Sequence, residues 1–422
     1  MKKIIRNFII TLTIFFTASL FFSLIYKKDT TFRVLDQLLP PSLSGTIRYF
    51  AEIGISPKKI NNDYNIKFLP ETQFAVLDFH KTKLSFVHTQ NVGYLKALKK
   101  KPFVLDIYDE YVIIAPKAGD FHYQKLDDSI LKKNNFKQIG SNLDTENVLD
   151  IFIDDNEIFV SYIKKINNCS FLYLAKSKIK LDNLNFQNIF ESNECVTKIQ
   201  SGRIQKTKYD NNNYILMGTS ADILKYKNEE DLKPQNDKSI YGKIIAINLK
   251  NYEYSIFSKG HRNILGLFSF NNLILSTENG PRGGDEINRI YKDKNYGWPI
   301  ASDGHKYRKG VNNIDLKKTY IDHSDMNFED PIFSFIPSIG ISEIIKIDNK
   351  FTVNWIDNYL VGSLFGKHIY RIRFNKTFDK INYFEKIYIG ERIRDLKYST
   401  KHSAVLMALE NTGSLGILKK NN

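Results

Sequence analysis

Residues with ligand-binding chemistry are concentrated between positions 259 and 299. Two apolar runs in this stretch are followed by the loop 280–286, which reads Gly-Pro-Arg-Gly-Gly-Asp-Glu. Glycine lets a backbone approach a ligand closely, and backbone carbonyls beside acidic side chains suit calcium. The stretch therefore predicts a binding site in loops that are held on strands. The acidic side chains at the end of this loop, Asp285 and Glu286, could face a cation.

The sequence predicts that short β-strands position this site. From residue 74 onward, apolar runs of four to seven residues alternate with turn residues, and 13% of the chain is aromatic. Strands of this length and spacing are typical of an all-β sandwich, barrel or propeller. An uninterrupted body of this length favours a β-propeller, although composition alone does not separate it from a sandwich.

The N-terminus predicts a membrane segment. Basic residues at 2, 3 and 6 precede an uncharged run at 8–26, and two lysines follow it. A run of this length can span a bilayer as a helix, and the basic start favours a cytoplasmic N-terminus. We interpret residues 1–28 as an uncleaved signal anchor, with a cleaved signal peptide as the alternative. The prediction then places a juxtamembrane segment at 29–70 and the propeller, at 71–422, on the periplasmic side.

Charge and cysteine content limit the partners. The formal charge of +15 comes from basic residues spread along the chain, so we predict solvated faces rather than a nucleic-acid site. The only cysteines are Cys169 and Cys195. In an exported protein they could pair, or they could be two unrelated small buried residues. The sequence leaves both alternatives open, and it gives no oligomeric state.

Several separated motifs resemble the glucose/sorbosone dehydrogenase family. They are Tyr-Gly-Lys-Ile at 241–244, Gly-His-Arg-Asn at 260–263, the loop continuing to 288, Asn-Tyr-Gly-Trp-Pro at 295–299, and the motifs at 337–342, 360–364 and 392–395. The resemblance is strong from about residue 202 to the C-terminus, weak at 111–200 and absent before that. It implies an exported six-bladed propeller that uses pyrroloquinoline quinone (PQQ) and calcium to oxidise aldose sugars.

The resemblance also implies roles for particular residues. Arg262 and Asn263 would contact the quinone, and the carbonyls of Gly280 and Pro281 would help to hold calcium. PQQ is a tricarboxylate, and arginine binds carboxylates through two parallel hydrogen bonds. The remaining charge of the cofactor would be paired by Arg392 and Arg394.

The chain departs from the family where a catalytic base is expected. The family places a histidine shortly before a Gly-Arg turn, and the matching position here is Ile199, which cannot accept a proton. His261 and His305 are weaker substitutes, and the position of His261 is more typical of a structural histidine. Further departures are Thr219 in place of an acid, Asn279 in place of His or Gln, and Phe365 in place of a lysine, with Lys367 close by.

Two functional hypotheses follow. The first is a membrane-anchored PQQ- and calcium-dependent oxidoreductase that acts on CH–OH groups of a sugar or another small alcohol. The second is a non-catalytic propeller that binds a sugar, a glycan or a protein partner, because the expected base position holds Ile199. A propeller stabilised by metal alone is not separated from the second hypothesis.

Overall fold

The computed structural model describes residues 67–68, 77–91, 99–127, 135–221, 232–281, 283–304 and 320–420. All of these lie in one compact unit, residues 63–422. The predicted signal anchor at 1–28 and nearly all of the juxtamembrane segment lie outside the described residues. Within the described ranges, no helix is long and apolar enough to cross a membrane.

Six sheets form the blades of a propeller, and each blade contains an antiparallel run of four strands. The innermost strands are β5 (Phe103–Tyr108), β9 (Asn147–Asp154), β14 (Gly202–Tyr209), β18 (Ile264–Phe270), β23 (Ile341–Lys346) and β27 (Ile393–Ser399). The second strands are β6 (Tyr111–Pro116), β10 (Glu157–Ile166), β15 (Asn212–Thr219), β19 (Leu273–Glu278), β24 (Tyr359–Ser363) and β28 (Ala404–Leu409).

The outer half of each blade completes the sheets. The third strands are β7 (Phe121–Lys125), β11 (Cys169–Lys178), β16 (Lys243–Asn248), β20 (Asp285–Arg289), β25 (His368–Phe374) and β29 (Ser414–Lys420). The outermost strands are β8 (Lys137–Ser141), β13 (Gln187–Glu191), β17 (Tyr254–Lys259), β22 (Phe333–Phe335), β26 (Ile381–Tyr388) and β2 (Leu77–Lys83).

Short elements extend this framework. Three two-residue strands add in parallel to outermost strands: β1 (Lys67–Phe68), β12 (Asn183–Leu184) and β21 (Lys294–Asn295). A separate two-stranded ribbon pairs β3 (Gln90–Asn91) with β4 (Lys99–Lys100). Two 3₁₀ turns occupy His323–Met326 and Val353–Trp355.

The ring of blades is closed by strands from both ends of the described chain. The innermost strands pack side by side in the order β5, β9, β14, β18, β23, β27 and back to β5. The last blade takes its outermost strand, β2, from the N-terminal side, and β2 pairs antiparallel with β29, so that Phe79 lies opposite Leu418. Closure of the ring therefore depends on contacts between residues that are distant in sequence.

The hydrophobic core lies between neighbouring blades. Strand β6 is buried on both faces: Ile113 packs with Val160 of the next blade, and Ile114 packs with Leu406 of the preceding one. A strand that is covered on both faces reads as a continuous apolar run rather than an alternating one. This explains why the apolar runs in the sequence show little alternation.

At the axis, buried carboxylates bind backbone amides between blades. The innermost strands are sheet edges, and buried N–H groups at an edge need acceptors. Each carboxylate accepts a hydrogen bond from the next innermost strand, at distances of 2.8–2.9 Å. These pairs are Asp106 with Ile153, Asp150 with Ile204 and Asp395 with Leu105.

Arg203 on β14 links most of the innermost strands. Its guanidinium lies 2.9 Å from Asp150, 3.0 Å from Asp395 and 3.2 Å from Glu343. It also donates hydrogen bonds to the carbonyls of Leu265 and Arg394, each at 2.8 Å. One buried side chain thus contacts β9, β18, β23 and β27.

The axial carboxylates outnumber the axial cations, Arg203 and Lys397. Burial outweighs attraction to these cations, and it raises the pKa of Asp106 to about 6 and that of Glu343 to about 7. Burial likewise raises the pKa of Asp150. These carboxyl groups therefore release their protons at a higher pH than free carboxyl groups do.

The two cysteines form a disulfide. Cys169 at the start of β11 is bonded to Cys195, and the adjacent backbone is joined by a hydrogen bond from Ser170 N to Val196 O at 2.8 Å. The bond closes a loop over a sequence separation of 26. It therefore restrains the segment that leads from β13 to the start of β14.

We predict that Arg203→Met destabilises the protein by roughly 3–5 kcal/mol, because it leaves several buried carboxylates without their cation. The matched control is Arg373→Met, because Arg373 is an exposed arginine on β25. We expect this control to change the free energy of unfolding by no more than about 0.5 kcal/mol. Urea unfolding of both variants measures the difference. Equal stabilities of the two variants would contradict the role of Arg203.

Candidate functional site

Site residues gather at one end of the innermost strands, where each first strand begins and each second strand ends. A narrow cavity on the axis opens at this face. Lys117, Gln200, Ser201, Arg203 and Arg394 line it together with apolar neighbours such as Leu265. Three of these side chains are cationic, so the cavity suits an anionic group.

Arg392 and Arg394 are oriented by a carboxylate that directly follows β28. Glu410 lies 3.3 Å from the Nε of Arg392 and 2.6 Å from the NH2 of Arg394. Burial alone would raise the pKa of Glu410, but Arg394 and Arg392 outweigh it and lower the pKa to about 2. Arg394 lines the cavity, and both arginine side chains remain partly exposed. Their remaining donors are therefore available to a ligand.

Arg262 and Asn263 directly precede β18 and are buried. The backbone N–H of Arg262 donates to Glu278, and its guanidinium donates to the carbonyl of Asn279 and lies 5.3 Å from the ring centre of Trp298. Among the described residues, Arg262 Nε, Asn263 Oδ1 and Trp298 Nε1 have no hydrogen-bond partner. Buried polar atoms are nearly always paired, so these three atoms fit contact with a ligand.

His261 has both ring nitrogens engaged within the fold. Its Nδ1 lies 3.0 Å from Glu278, its Nε2 lies 2.8 Å from Ser258, and its ring stacks on Tyr296 at 4.6 Å. The side chain is fully buried. This arrangement orients the loop at 260–263 and leaves the imidazole without access to a substrate. His305, the other candidate substitute, lies outside the described residues.

The Gly280–Pro281 loop is folded tightly on itself. A Cβ at Gly280 would lie 1.8 Å from the carbonyl oxygen of Gly284, so only glycine fits. Asp285 fixes the loop by accepting hydrogen bonds from Gly280 N at 3.1 Å and, on its other oxygen, from Ile341 N at 2.9 Å. Both carboxylate oxygens of Asp285 are thus used by backbone amides.

Glu286 lies in an acidic environment. Burial, followed by the charges of Glu278 and Asp303, raises its pKa well above the ordinary value. In the described part of the chain, no group of three or more His, Cys, Asp or Glu side chains is arranged to hold a metal ion. Of the predicted calcium ligands, the backbone carbonyl of Pro281 accepts a hydrogen bond from Ser338 Oγ at 3.4 Å.

Ile199 lies in the hydrophobic cluster between two blades, with Ile204 and Ile215. The residues after it, Gln200 and Ser201, line the axial cavity, and Ser201 Oγ has no described partner. Thr219 is also structural, because its hydroxyl binds the carbonyl of Ile240 at 2.6 Å. The expected base position therefore presents an apolar side chain to the core.

A wide cleft lies at the opposite end of the innermost strands. It encloses about 900 Å³ between three hairpin turns. Its lining is polar and includes Asp154, Lys206, Asp210, Asn211, Asn271 and Asn272. None of the predicted site residues contributes to it.

Fold and site together define a class: a six-bladed propeller with a cationic pocket on its axis. The sequence model of the glucose/sorbosone dehydrogenase family matches residues 100–417 of this chain. Uncharacterized protein slr1608 of Synechocystis is 30% identical over 196 residues, 43% of this chain and 46% of that protein. Aldose sugar dehydrogenase YliI of Escherichia coli is 30% identical over 164 residues, 38% of this chain and 42% of that protein. The chain thus aligns with less than half the length of these relatives.

Solved structures share the fold. The apo-form of soluble aldose sugar dehydrogenase from E. coli superposes with a TM-score of 0.65 at 19% identity, covering 82% of this chain and 99% of that chain. The PQQ-bound aldose sugar dehydrogenase from Streptomyces coelicolor gives 0.54 at 16% identity, covering 82% and 99%. This chain belongs to the glucose/sorbosone dehydrogenase family.

Sequence reasoning missed three polar residues of the site. Glu278 ends β19, Glu410 follows β28 and Lys117 follows β6, so each stands where a second strand reaches the site face. The sequence feature that could have predicted these residues is a charged residue at the end of an apolar strand, as in the segment Ala-Val-Leu-Met-Ala-Leu-Glu at 404–410. Using this feature requires knowing which strand is the second strand of each blade.

We predict that Glu410→Gln lowers stability at neutral pH by about 3 kcal/mol, because it removes the carboxylate from two arginines. The lowered pKa means that Glu410 stabilises the folded state above about pH 4.5, and that this contribution is lost as pH falls toward 2. The gap between wild type and variant should therefore narrow in acid.

Urea unfolding between pH 3.5 and 7 measures this gap. The control is Glu157→Gln, whose partly exposed ion pair with Lys176 contributes little. A gap for Glu410→Gln that does not change with pH would contradict the assignment.

Proposed function

We propose that the site face binds PQQ and that the protein is an oxidoreductase acting on CH–OH groups of an aldose or a related alcohol. The observation that carries this proposal is that Arg262, Arg392 and Arg394 lie at one face, where Arg262 Nε has no protein partner among the described residues. A planar tricarboxylate would supply the missing acceptors. The names of the related aldose sugar dehydrogenases support the same activity.

The residues present fit this group in charge and hydrogen bonding. Arg392 and Arg394, held by Glu410, would take carboxylates, while Arg262 and Asn263 would contact the quinone ring. The carbonyls of Gly280 and Pro281 would contribute to a calcium site beside it, a role that suits hard oxygen ligands. When bound, the quinone would accept the hydride from the sugar.

The proton of the sugar hydroxyl needs a different acceptor from the family histidine. Ile199 packs in the core and cannot take a proton. Losing a positioned base lowers the rate by about 10²-fold to 10⁴-fold, so we expect tight binding with slow turnover. This observation also favours a second candidate: a propeller that binds cofactor, sugar, glycan or a protein partner without catalysis.

We predict that the full-length protein in mild detergent binds PQQ with calcium at micromolar concentration or tighter. Quinone absorbance reports binding, and dye reduction with a panel of aldoses reports turnover. Arg394→Met should weaken binding at least 10-fold, while Arg373→Met should not. Failure of the wild type to bind PQQ would contradict the enzyme hypothesis.

Binding without turnover would favour the second candidate. In that case Ile199→His is the informative variant, because a gain of sugar oxidation would support the alignment of this position with the family histidine. Its unfolding transition must be checked first, since the substitution places an imidazole in an apolar cluster.

We also propose that the propeller lies outside the cytoplasm, anchored by residues 1–28. The basic and apolar pattern of the N-terminus supports this topology, and the disulfide between Cys169 and Cys195 fits an oxidising compartment. Protease added to intact spheroplasts should digest the propeller. Protection until the inner membrane is lysed would contradict the proposed location.

A further inference from the structure

Lys117 stands at a blade position equivalent to Glu410. It directly follows a second strand, β6, and its side chain lines the axial cavity with Gln200 and Arg394. Its backbone is fixed, because Val148 N of the next blade donates a hydrogen bond to Lys117 O at 2.9 Å. The lysine is therefore held at the cavity rather than carried on a free loop.

The carboxylates that lie near the cavity are grouped around its arginines. Arg203 is surrounded by Asp150, Glu343 and Asp395, and Arg394 shares Glu410 with Arg392. No described carboxylate lies within ion-pair distance of Lys117. Of the three cations that line the cavity, Lys117 is thus the one without a paired anion among the described residues.

The electrostatic environment agrees with the geometry. Burial, then the charge of Arg394, lowers the pKa of Lys117 to about 8, and Arg203 and Lys198 act in the same direction. Glu410 opposes this shift but does not reverse it. An anion placed in the cavity would restore a favourable interaction for the protonated amine.

The size of the cavity limits what can enter. It encloses about 20 Å³, which has room for a single small group but not for a sugar or quinone ring. The rest of a larger ligand would lie above the cavity at the open face, beside Arg392 and Arg394. One end of the ligand would reach Lys117.

We infer that Lys117 is a binding residue for a carboxylate group seated in the axial cavity, contributed either by the quinone cofactor or by an acidic sugar. This inference deepens the proposed function, because it places a ligand at the same face. It does not require turnover.

Proton linkage provides a test that is independent of activity. An anion beside Lys117 raises the pKa of the amine, so at about pH 8.5 the complex should take up roughly half to one proton on binding. Calorimetry of the full-length protein in buffers of different ionisation enthalpy measures this uptake. The probes are PQQ and, separately, gluconate without cofactor.

Three variants separate the role of Lys117 from general effects. Lys117→Met should lose the proton uptake and weaken binding at least 10-fold. Lys117→Arg should keep most of the affinity but lose the uptake, because arginine stays protonated. The control Lys208→Met, an exposed lysine toward the opposite end of β14, should change neither quantity.

The outcomes distinguish the two claims. If PQQ does not bind the wild type, the proposed function fails. The carboxylate site would still be supported if gluconate binds with proton uptake and Lys117→Met abolishes that uptake. If Lys117→Met loses the proton uptake that accompanies PQQ binding, and gluconate does not bind the wild type, the carboxylate belongs to the cofactor. Equal affinity and equal uptake in wild type and Lys117→Met, or no binding of either probe, would overturn the inference.

Discussion

The propeller depends on how its axis accommodates unpaired backbone amides. Six innermost strands meet as sheet edges where water is excluded, and buried N–H groups without acceptors are costly. Asp106, Asp150 and Asp395 supply these acceptors between neighbouring blades. Their charges then require a cation, and Arg203 supplies it while contacting four other innermost strands.

The same cluster connects the fold to the site. Arg203 faces the axial carboxylates and also lines the cavity at the site face. Residues that precede a first strand or follow a second strand necessarily reach this face, whatever their chemistry. Arg262 and Asn263 directly precede β18, and Glu410 directly follows β28, so all three lie at this face. Binding chemistry can therefore change by substitution at these positions without altering the blades.

The sequence predicted many of the strands, because a strand depends mainly on residues that are neighbours in sequence. The apolar runs at 103–108 and 404–409 coincide with β5 and β28. The choice of a propeller over a sandwich was not local, since it depends on the pairing of β2 with β29 across almost the whole chain. It entered only through the resemblance to a family. The disulfide likewise needed the distance between Cys169 and Cys195.

The site was only partly predictable for the same reason. Motifs located Arg262, Asn263, Arg392 and Arg394, because their neighbours in sequence are distinctive. The sequence did not predict the environment of each side chain, because that environment depends on contacts across the blade. His261 is hydrogen-bonded to Glu278 and Ser258, and Asp285 accepts hydrogen bonds from backbone amides. Lys117 carried no motif, and its chemistry comes from the charges placed around it by other blades.

The most direct measurement of the central claim is a crystal structure of the full-length protein grown with PQQ and calcium. The account predicts quinone density over the axial cavity, with carboxylate oxygens within hydrogen-bond distance of Arg394 and Lys117 and with Ile199 still packed in the core. Quinone bound in the large cleft at the opposite face, or an ordered quinone with no contact to these cations, would contradict it.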